Sequence, residues 1–188
     1  MTLRPAEVDD ENQRPVVDAI RQGDVYAMTE FVRRNERWVR GVIFGVLGRN
    51  NDLDDVAQRV WMQVWREASR LEDPAKWRPW VYRIARNAAT DAGRHRWRER
   101  NALGRIAEQP PRSSAPVDAQ LAGREQHQTV LDAIAALPEI YREPFVLKHV
   151  DDMNYKQIGE LLDLPPDTVE TRLVRARRLL REQLASKV

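Results

Sequence analysis

The chain has 188 residues, a formal net charge of +2 and no cysteine. This length can hold one domain of ordinary size or two small ones. The lack of thiols excludes disulfides, thiolate catalysis and cysteine-based zinc sites. No apolar run approaches the roughly 18 residues that a membrane-spanning helix needs, and the acidic, polar N-terminus lacks the pattern of a signal peptide. We therefore expect a soluble, cytoplasmic protein.

Basic residues are concentrated in two segments. Residues 76–100 contain eight basic residues against two acids, and residues 172–181 contain five arginines and no acid. Localised positive charge of this kind indicates contact with a polyanion such as nucleic acid. The alternative is that each segment is a solvated helix surface.

Apolar residues three and four positions apart predict helices throughout the first half of the chain. The first helix ends at Gly23, and Asp24 is placed to cap the second, which continues to Gly48. The third predicted helix covers residues 52–71 with Asp52 as its expected cap. Two prolines at 74 and 79 interrupt the pattern before a strongly basic helix over residues 80–100.

The apolar pattern fades between residues 101 and 120, where prolines and serines give the composition of a linker. All six tryptophans precede this segment, which indicates two separate helical units. The second unit begins with a helix over residues 121–136. Pro138 and Pro144 then suit the first turns of short helices.

The last segment reads as two short helices joined by a tight turn. Asn154 and Gln157 have the spacing of a capping box, and "DLPPD" forces the turn. The second helix begins near Pro166 and carries one apolar stripe that must pack inward: Val169, Leu173, Ala176 and Leu180. Its opposite side carries Asp167, Glu170, Thr171, Val174, Arg175 and Arg178. This arrangement is typical of a helix-turn-helix that enters the major groove, and the alternative is an ordinary helical hairpin with a solvated face.

Residues 137–184, "LPEIYREPFVLKHVDDMNYKQIGELLDLPPDTVETRLVRARRLLREQL", resemble the region-4 domain of bacterial sigma factors of the extracytoplasmic-function (ECF) group. Residues 52–71 resemble the core-polymerase-binding helix of that group, and residues 77–96 resemble the helix that follows its promoter-melting loop. The resemblance implies an all-α fold of two small helical domains, sigma region 2 and sigma region 4, joined by a flexible linker. The implied division is a flexible N-terminus at 1–15, region 2 at 16–100, a linker at 101–120 and region 4 at 121–188.

The resemblance implies an alternative sigma factor that binds core RNA polymerase, recognises the −10 and −35 promoter elements and initiates transcription. Its partners would be the clamp coiled coil of the largest polymerase subunit, the polymerase flap, and promoter DNA. The residues expected to contact the polymerase lie on the third helix: Asp55, Gln58, Trp61, Met62 and Trp65. An aromatic and polar cluster of this kind suits an interface hot spot, although one of the two tryptophans is expected to be core instead.

The basic loop and helix after residue 73 are expected to contact the −10 element. Holding an unstacked base requires an aromatic surface and cations on the exposed backbone. The residues predicted to do so are Lys76, Trp77, Arg83, Arg86, Asn87, Arg94 and Arg96. Among them Asn87 is the preferred base reader, because an amide both donates and accepts hydrogen bonds. The alternative for Trp77 and Trp80 is that they fasten the loop to the domain core, and for Trp80 this alternative is preferred.

The second unit is expected to bind the −35 element as duplex DNA. The predicted contacts are Lys156, Thr168, Glu170, Thr171, Val174, Arg175 and Arg178. Glu170 departs from the family, which usually has a basic residue at this position. A glutamate in the major groove can accept a hydrogen bond from the amino group of cytosine. The alternative is a neutral surface substitution screened by Arg177 and Arg181.

Two other functions compete with this interpretation. A helix-turn-helix regulator that acts without polymerase would share the C-terminal features but leave the basic segment at 76–98 unexplained. A metal-dependent nuclease could use paired aspartates at 52, 54 and 55 or at 151 and 152, yet these lie where aspartates cap helices. We predict no enzymatic activity, no catalytic residue, no metal and no cofactor. Many members of the ECF group are held inactive by an anti-sigma factor, so such a partner is a further candidate, although no feature of this sequence indicates one.

Overall fold

The computed structural model describes residues 6–102, 121–150 and 152–185, and every regular element in these ranges is helical. The first unit contains α1 (Ala6–Arg21), α2 (Val25–Leu47), α3 (Leu53–Glu67) and α4 (Trp77–Ala102), with two short 3₁₀ turns between α3 and α4. The second unit contains α5 (Leu121–Ala135), α6 (Glu139–Val150), α7 (Tyr155–Leu162) and α8 (Pro166–Ala185). The all-α prediction is confirmed.

The start and end of α2 follow from its flanking residues as predicted. Asp24 is the N-cap, and its carboxylate accepts hydrogen bonds from the backbone N–H groups of Tyr26 and Ala27. Gly48 ends the helix in the left-handed conformation with φ +65°, and its N–H bonds to the carbonyl of Phe44. Glycine adopts this conformation without the strain that a Cβ would impose.

The prediction for Pro144 is wrong. Helix α6 begins at Glu139, so Pro144 lies in its interior and not in a first turn. The helix nevertheless continues to Val150. Pro138 directly precedes the helix, and its carbonyl accepts from the N–H groups of Tyr141 and Arg142.

One hydrophobic core extends through both units. In the first unit it includes Phe31, Val39, Val60 and Trp77, and in the second it includes Leu147, Met153, Ile158, Val169 and Leu173. A smaller cluster lies between α5 and α8, around Leu137 and Ala176. The distribution of tryptophans indicated two separate units, whereas in the structure α6 and α7 of the second unit pack on α2 and α4 of the first.

The predicted division of the chain is only partly covered by the described residues. Helix α1 begins at Ala6, within the segment predicted as a flexible N-terminus. The predicted linker lies outside the described residues, except for its first two residues, which end α4. The domain boundaries therefore stay predictions.

Candidate nucleic-acid and polymerase surfaces

Local contacts define both the start of α7 and the turn that joins it to α8. The side chain of Asn154 accepts from the N–H of Gln157 at 2.9 Å, and the side chain of Gln157 accepts from the N–H of Asn154 at 2.9 Å, which completes the predicted capping box. Helix α7 ends at Asp163 in the left-handed conformation. A Cβ on Gly159 would lie 2.5 Å from the carbonyl oxygen of Leu164, so only glycine allows the chain to turn this closely.

Helix α8 has the two faces that its sequence predicts. The stripe of Val169, Leu173, Ala176 and Leu180 is buried. The opposite side forms one shallow, open surface lined by Asp167, Glu170, Thr171, Val174, Arg175 and Arg178. We refer to these six residues as the α8 surface.

The α8 surface leaves its central side chains accessible. Val174 is 56% exposed, so an apolar side chain suited to a thymine methyl group stands in water. The Thr171 hydroxyl donates to the carbonyl of Asp167, and Arg178 lies 3.6 Å from Glu182 on the same helix. The side chain of Glu170 forms no hydrogen bond or ion pair with any residue that the structure describes. Of the two other predicted contacts, Lys156 on α7 is exposed and Thr168 on α8 is half-buried.

Trp77 is not available to a base, so the prediction that it contacts the −10 element is wrong. Its ring is fully buried and makes edge contacts with Phe31 and Trp38, at centroid distances of 5.1 and 5.9 Å. The guanidinium of Arg78 lies 4.7 Å from the centre of the Trp77 ring, in cation–π geometry. Trp77 thereby fastens the loop before α4 to the domain core, as the alternative interpretation of this residue states. Trp80 is half buried and packs against the same core, as preferred for it.

The predicted −10 residues on and before α4 divide into two groups. Lys76, Arg83, Asn87 and Arg94 are exposed. Arg86 and Arg96 instead bind acidic residues of the protein itself. The structure therefore leaves four of the seven predicted contacts open to solvent.

Arg96 binds Asp52, at 2.8 and 3.0 Å from the two carboxylate oxygens. Asp52 is at the N-cap position of α3 but makes no side-chain capping bond, because its carboxylate is taken by Arg96 and Arg49. Burial alone would raise the pKa of Asp52, but these two arginines hold it below its ordinary value. The ion pair fastens the start of α3 to the C-terminal half of α4.

Arg86 binds Glu143 of α6, with 3.0 Å between Nε and the carboxylate. The hydroxyl of Tyr82 donates to the same oxygen at 2.5 Å. The charge of Glu143 raises the pKa of Arg86, and burial together with this carboxylate raises the pKa of Tyr82. Sequence reasoning missed Tyr82 and Glu143, because their contact joins residues 61 positions apart.

The residues of α3 that were predicted to bind polymerase also differ in exposure, since one is buried and the others are accessible. Trp61 is buried, and its Nε1 donates to Glu36 at 2.6 Å, so it is the tryptophan that belongs to the core. Met62 is 54% exposed and Trp65 is 38% exposed. With Gln58 they line an open groove between α2 and α3, whose other walls include Glu36, Arg40, Asp54 and Ala57. Asp55 is exposed but borders a neighbouring depression, formed with the C-terminal half of α4.

No group of three or more histidine, aspartate or glutamate side chains within the described ranges could hold a metal ion. Asp54, one of the aspartates considered for a nuclease, binds Arg40. The helices that the structure describes also include none that is long and apolar enough to cross a membrane.

Two family models match the chain in the predicted order. Sigma-70 region 2 matches residues 31–99, and sigma-70 region 4 matches residues 127–180. Together they span well over half of the chain. The chain therefore belongs to the sigma-70 family of RNA polymerase sigma factors, and within it to the ECF group of alternative sigma factors.

Relatives and solved structures are consistent with this family over nearly the whole length. The ECF RNA polymerase sigma factor SigW of Bacillus subtilis is 27% identical, with 89% of this chain and 94% of that protein covered. CnrH, solved in complex with the cytosolic domain of CnrY, shares the fold at a TM-score of 0.69, with 22% identity and coverage of 94% and 99%. The sigma factor RpoE of Bartonella quintana, solved with the anti-sigma factor NepR, shares it at 0.65, with 21% identity and coverage of 86% and 98%.

Proposed function

We propose that this sigma factor binds core RNA polymerase through α3, the −10 element through α4 and the −35 element through α8, and that it catalyses no reaction itself. The observation that carries the proposal is the α8 surface. It is an accessible face of polar, apolar and basic side chains on the second helix of a helix-turn-helix whose first helix is capped. The apolar stripe on the other side of this second helix is buried in the core. A recognition helix needs this combination to enter the major groove.

Within the α8 surface the side chains suit different contacts. Thr171, Val174 and Arg175 are the base-facing candidates, since a hydroxyl, an apolar group and a guanidinium each read a different base edge. Arg178 and Lys156 are long cations at the margin and suit phosphates. Glu170 is exposed and unpaired among the described residues, as the acceptor of a cytosine amino group must be.

The polymerase-binding surface is the groove around Gln58, Met62 and Trp65. An exposed methionine and a partly exposed tryptophan, surrounded by polar side chains, are typical of a hot spot that becomes buried on association. Trp61 contributes indirectly by holding the groove wall to α2 through Glu36. Asp55 contributes from the adjoining depression.

The −10 contacts that remain after the burial of Trp77 are cationic or amide side chains on one basic segment. Lys76, Arg83 and Arg94 suit the exposed backbone of an opened strand, and Asn87 remains the preferred base reader. Arg86 joins them only when Glu143 releases it. The protein would act in the cytoplasm, where polymerase and chromosome are, and an anti-sigma factor is a further candidate partner by similarity to RpoE with NepR.

Run-off transcription with core polymerase on a library of genomic fragments tests this function and returns the promoter. We expect discrete transcripts only when both core enzyme and this protein are present. A regulator that acts without polymerase would instead shift duplex promoter DNA alone. If no fragment gives a transcript with core polymerase, the proposal is wrong.

A further inference from the structure

Trp97, near the C-terminal end of α4, is the most exposed of the six tryptophans. It is 66% exposed, whereas the next most exposed, Trp65, reaches only 38%. Among the described residues it belongs to neither hydrophobic cluster. Single exposed apolar side chains are common on protein surfaces, so exposure alone does not indicate a function. The position of the ring on α4 does.

Trp97 shares a face of α4 with the predicted −10 contacts that are open to solvent. The helix is continuous from Trp77 to Ala102. At about 100° per residue, Arg83, Asn87 and Arg94 all lie within about 80° of Trp97 around the helix axis. All four side chains are exposed. Trp97 therefore continues the predicted −10 face by one turn beyond Arg94.

The charges around Trp97 favour a polyanion as its partner. Arg94 and Arg98 lie within about 100° of the ring, and the side chain of Arg94 is 71% exposed. The only two acids of α4, Asp91 and Glu99, lie about 120° and 160° away. Asp91 approaches Arg94 only to 3.9 Å, which is longer than a hydrogen bond. An aromatic ring beside open cations is the combination that binds single-stranded nucleic acid, with a base on the ring and phosphates on the cations.

The opposite side of α4 keeps the ring facing outward. Arg96 binds both carboxylate oxygens of Asp52, at 2.8 and 3.0 Å, and Ala92 is buried. These contacts fasten the end of α4 to the start of α3, so the helix cannot rotate to bury Trp97. A rigid ring on a fixed helix loses little conformational entropy when a ligand stacks on it.

We propose that Trp97 is a stacking platform for an unpaired base at the C-terminal end of the −10 face. Asn87 and Trp97 are ten residues apart, which is about 15 Å along the helix at about 1.5 Å per residue. One strand advances about 3.4 Å per stacked nucleotide, so this distance corresponds to roughly four nucleotides. Trp97 holds a second base at that distance from the base that Asn87 reads. The proposal rests on the proposed function, since α4 is taken as the −10 surface.

The contribution of Trp97 differs in kind from that of the arginines beside it. A guanidinium binds the phosphates of duplex and single-stranded DNA alike. The faces of a base in a duplex are covered by the neighbouring base pairs, so an indole can stack only on a base that has left the duplex. Trp97 therefore favours opened DNA over duplex DNA.

The affinity of the full chain for a mixed-sequence single-stranded 12-mer and for the matching duplex, measured by fluorescence anisotropy, tests this preference. We expect Trp97→Ala to weaken single-strand binding by at least about fivefold and duplex binding by less than about twofold. Trp97→Phe should keep most of the affinity, whereas Trp97→Leu, which is apolar but has no ring, should behave as Trp97→Ala. Tyr26→Ala is the control, because Tyr26 is a 90% exposed aromatic residue on α2 and should change neither affinity.

Salt dependence separates stacking from charge. Arg94→Ala should weaken binding to both forms of DNA and reduce the slope of log affinity against log salt by about 1. Trp97→Ala should leave this slope unchanged. Equal losses on single strand and duplex, or no loss with Trp97→Ala, would overturn the proposal. So would weaker binding of Trp97→Ala to labelled core polymerase with unchanged single-strand affinity, since the ring would then belong to a protein interface.

Abasic substitutions in the promoter locate the stacked base. Each nucleotide of the −10 region is replaced in turn by an abasic site, and open-complex formation is measured with holoenzyme that carries wild type, Asn87→Ala or Trp97→Ala. A variant should lose its effect at the one position whose base its side chain contacts. We expect the position for Trp97 to lie roughly four nucleotides from the position for Asn87. Additive losses at every position would contradict stacking by Trp97.

The outcomes distinguish the stacking platform from the proposed function. Absence of transcripts from wild type with core polymerase would overturn the sigma function, while a single-strand preference that depends on Trp97 would still stand. Normal transcription together with single-strand binding that does not depend on Trp97 would overturn the stacking platform alone.

Discussion

Helices α4 and α8 look alike in sequence, since each is rich in arginine, but their arginine side chains differ in how accessible they are. On α8 the arginines at 175 and 178 stand on an open surface. On α4 the arginines at 78, 86 and 96 are engaged by the rings of Trp38 and Trp77, by Glu143 and by Asp52, respectively. The number of cations in a helix therefore does not give the number available to DNA.

The difference follows from how each helix packs. Helix α8 buries one narrow stripe, so its opposite side faces solvent along the whole helix. Helix α4 packs against α2 and α3 and also contacts α7, and its residues bond to acids of α6 and to the residue before α3. The α8 surface is therefore accessible, whereas Arg86 and Arg96 of α4 are held by acidic residues of the protein itself.

Trp77→Ala should have the largest effect, because it removes a fully buried ring that packs against Phe31 and Trp38 of α2. A truncation of this kind costs about 3–5 kcal/mol of unfolding free energy, which urea denaturation followed by circular dichroism measures. Trp97→Ala on the same helix, where the ring is 66% exposed, is the matched control and should change stability by less than about 0.5 kcal/mol. Equal losses in the two variants would contradict the buried position of Trp77.

Trp65→Ala should weaken binding to core polymerase by about 2 kcal/mol, roughly thirtyfold, as truncation of an aromatic hot spot does. Trp61→Ala on the same helix is the matched comparison, because it removes a core tryptophan instead of an interface one. It should lower the unfolding free energy, because Trp61 is buried and bonded to Glu36, whereas Trp65→Ala should leave stability nearly unchanged. Titration of labelled core enzyme measures the affinity, and an unchanged value for Trp65→Ala would remove α3 from the proposed interface.

Arg175→Ala should weaken binding of the holoenzyme to the −35 element by about 1–3 kcal/mol and leave opening at the −10 element unchanged. Arg177→Ala, an exposed arginine on the flank of α8, removes the same charge outside the α8 surface. Its effect should be smaller and independent of DNA sequence. Competition between promoters with intact and scrambled −35 elements measures both variants, and equal losses on the two promoters would argue against base reading by Arg175.

Glu170→Arg should change the affinity for −35 DNA least, and should change which base is preferred at a single −35 position. If Glu170 reads cytosine, the substitution changes the preferred base at one −35 position, by about 1–3 kcal/mol of discrimination. If Glu170 is a neutral surface residue beside Arg177 and Arg181, binding tightens with the same preference. Selection of bound duplexes from a library with a randomised −35 element distinguishes the two.

The α8 surface was predictable from sequence because its causes are local. The capping box, the turn at "DLPPD" and the spacing of the apolar stripe all lie within residues 154–180, and the structure confirms each. The same holds for the cap of α2 at Asp24 and for its end at Gly48. Patterns of short range determine helix ends and buried stripes.

The state of α4 was not predictable in the same way. Glu143 lies 57 residues from Arg86, and Asp52 lies 44 residues from Arg96, so no local pattern links them. Trp77 follows a proline-containing loop and resembles an exposed aromatic until the packing of Phe31 and Trp38 around it is known. The same lack of long-range information left Asp52 as an expected helix cap, although its carboxylate binds two arginines.

The most direct test of the contrast between α4 and α8 is the rate at which phenylglyoxal modifies each arginine of the free, full-length protein, followed by mass spectrometry. This reagent attacks the deprotonated guanidine, and the contact with Glu143 both shields Arg86 and raises its pKa. The account predicts that Arg86 reacts several times more slowly than Arg83, one turn earlier on α4, and than Arg175 on α8. Equal rates for Arg86 and Arg83 in the wild-type protein would contradict it.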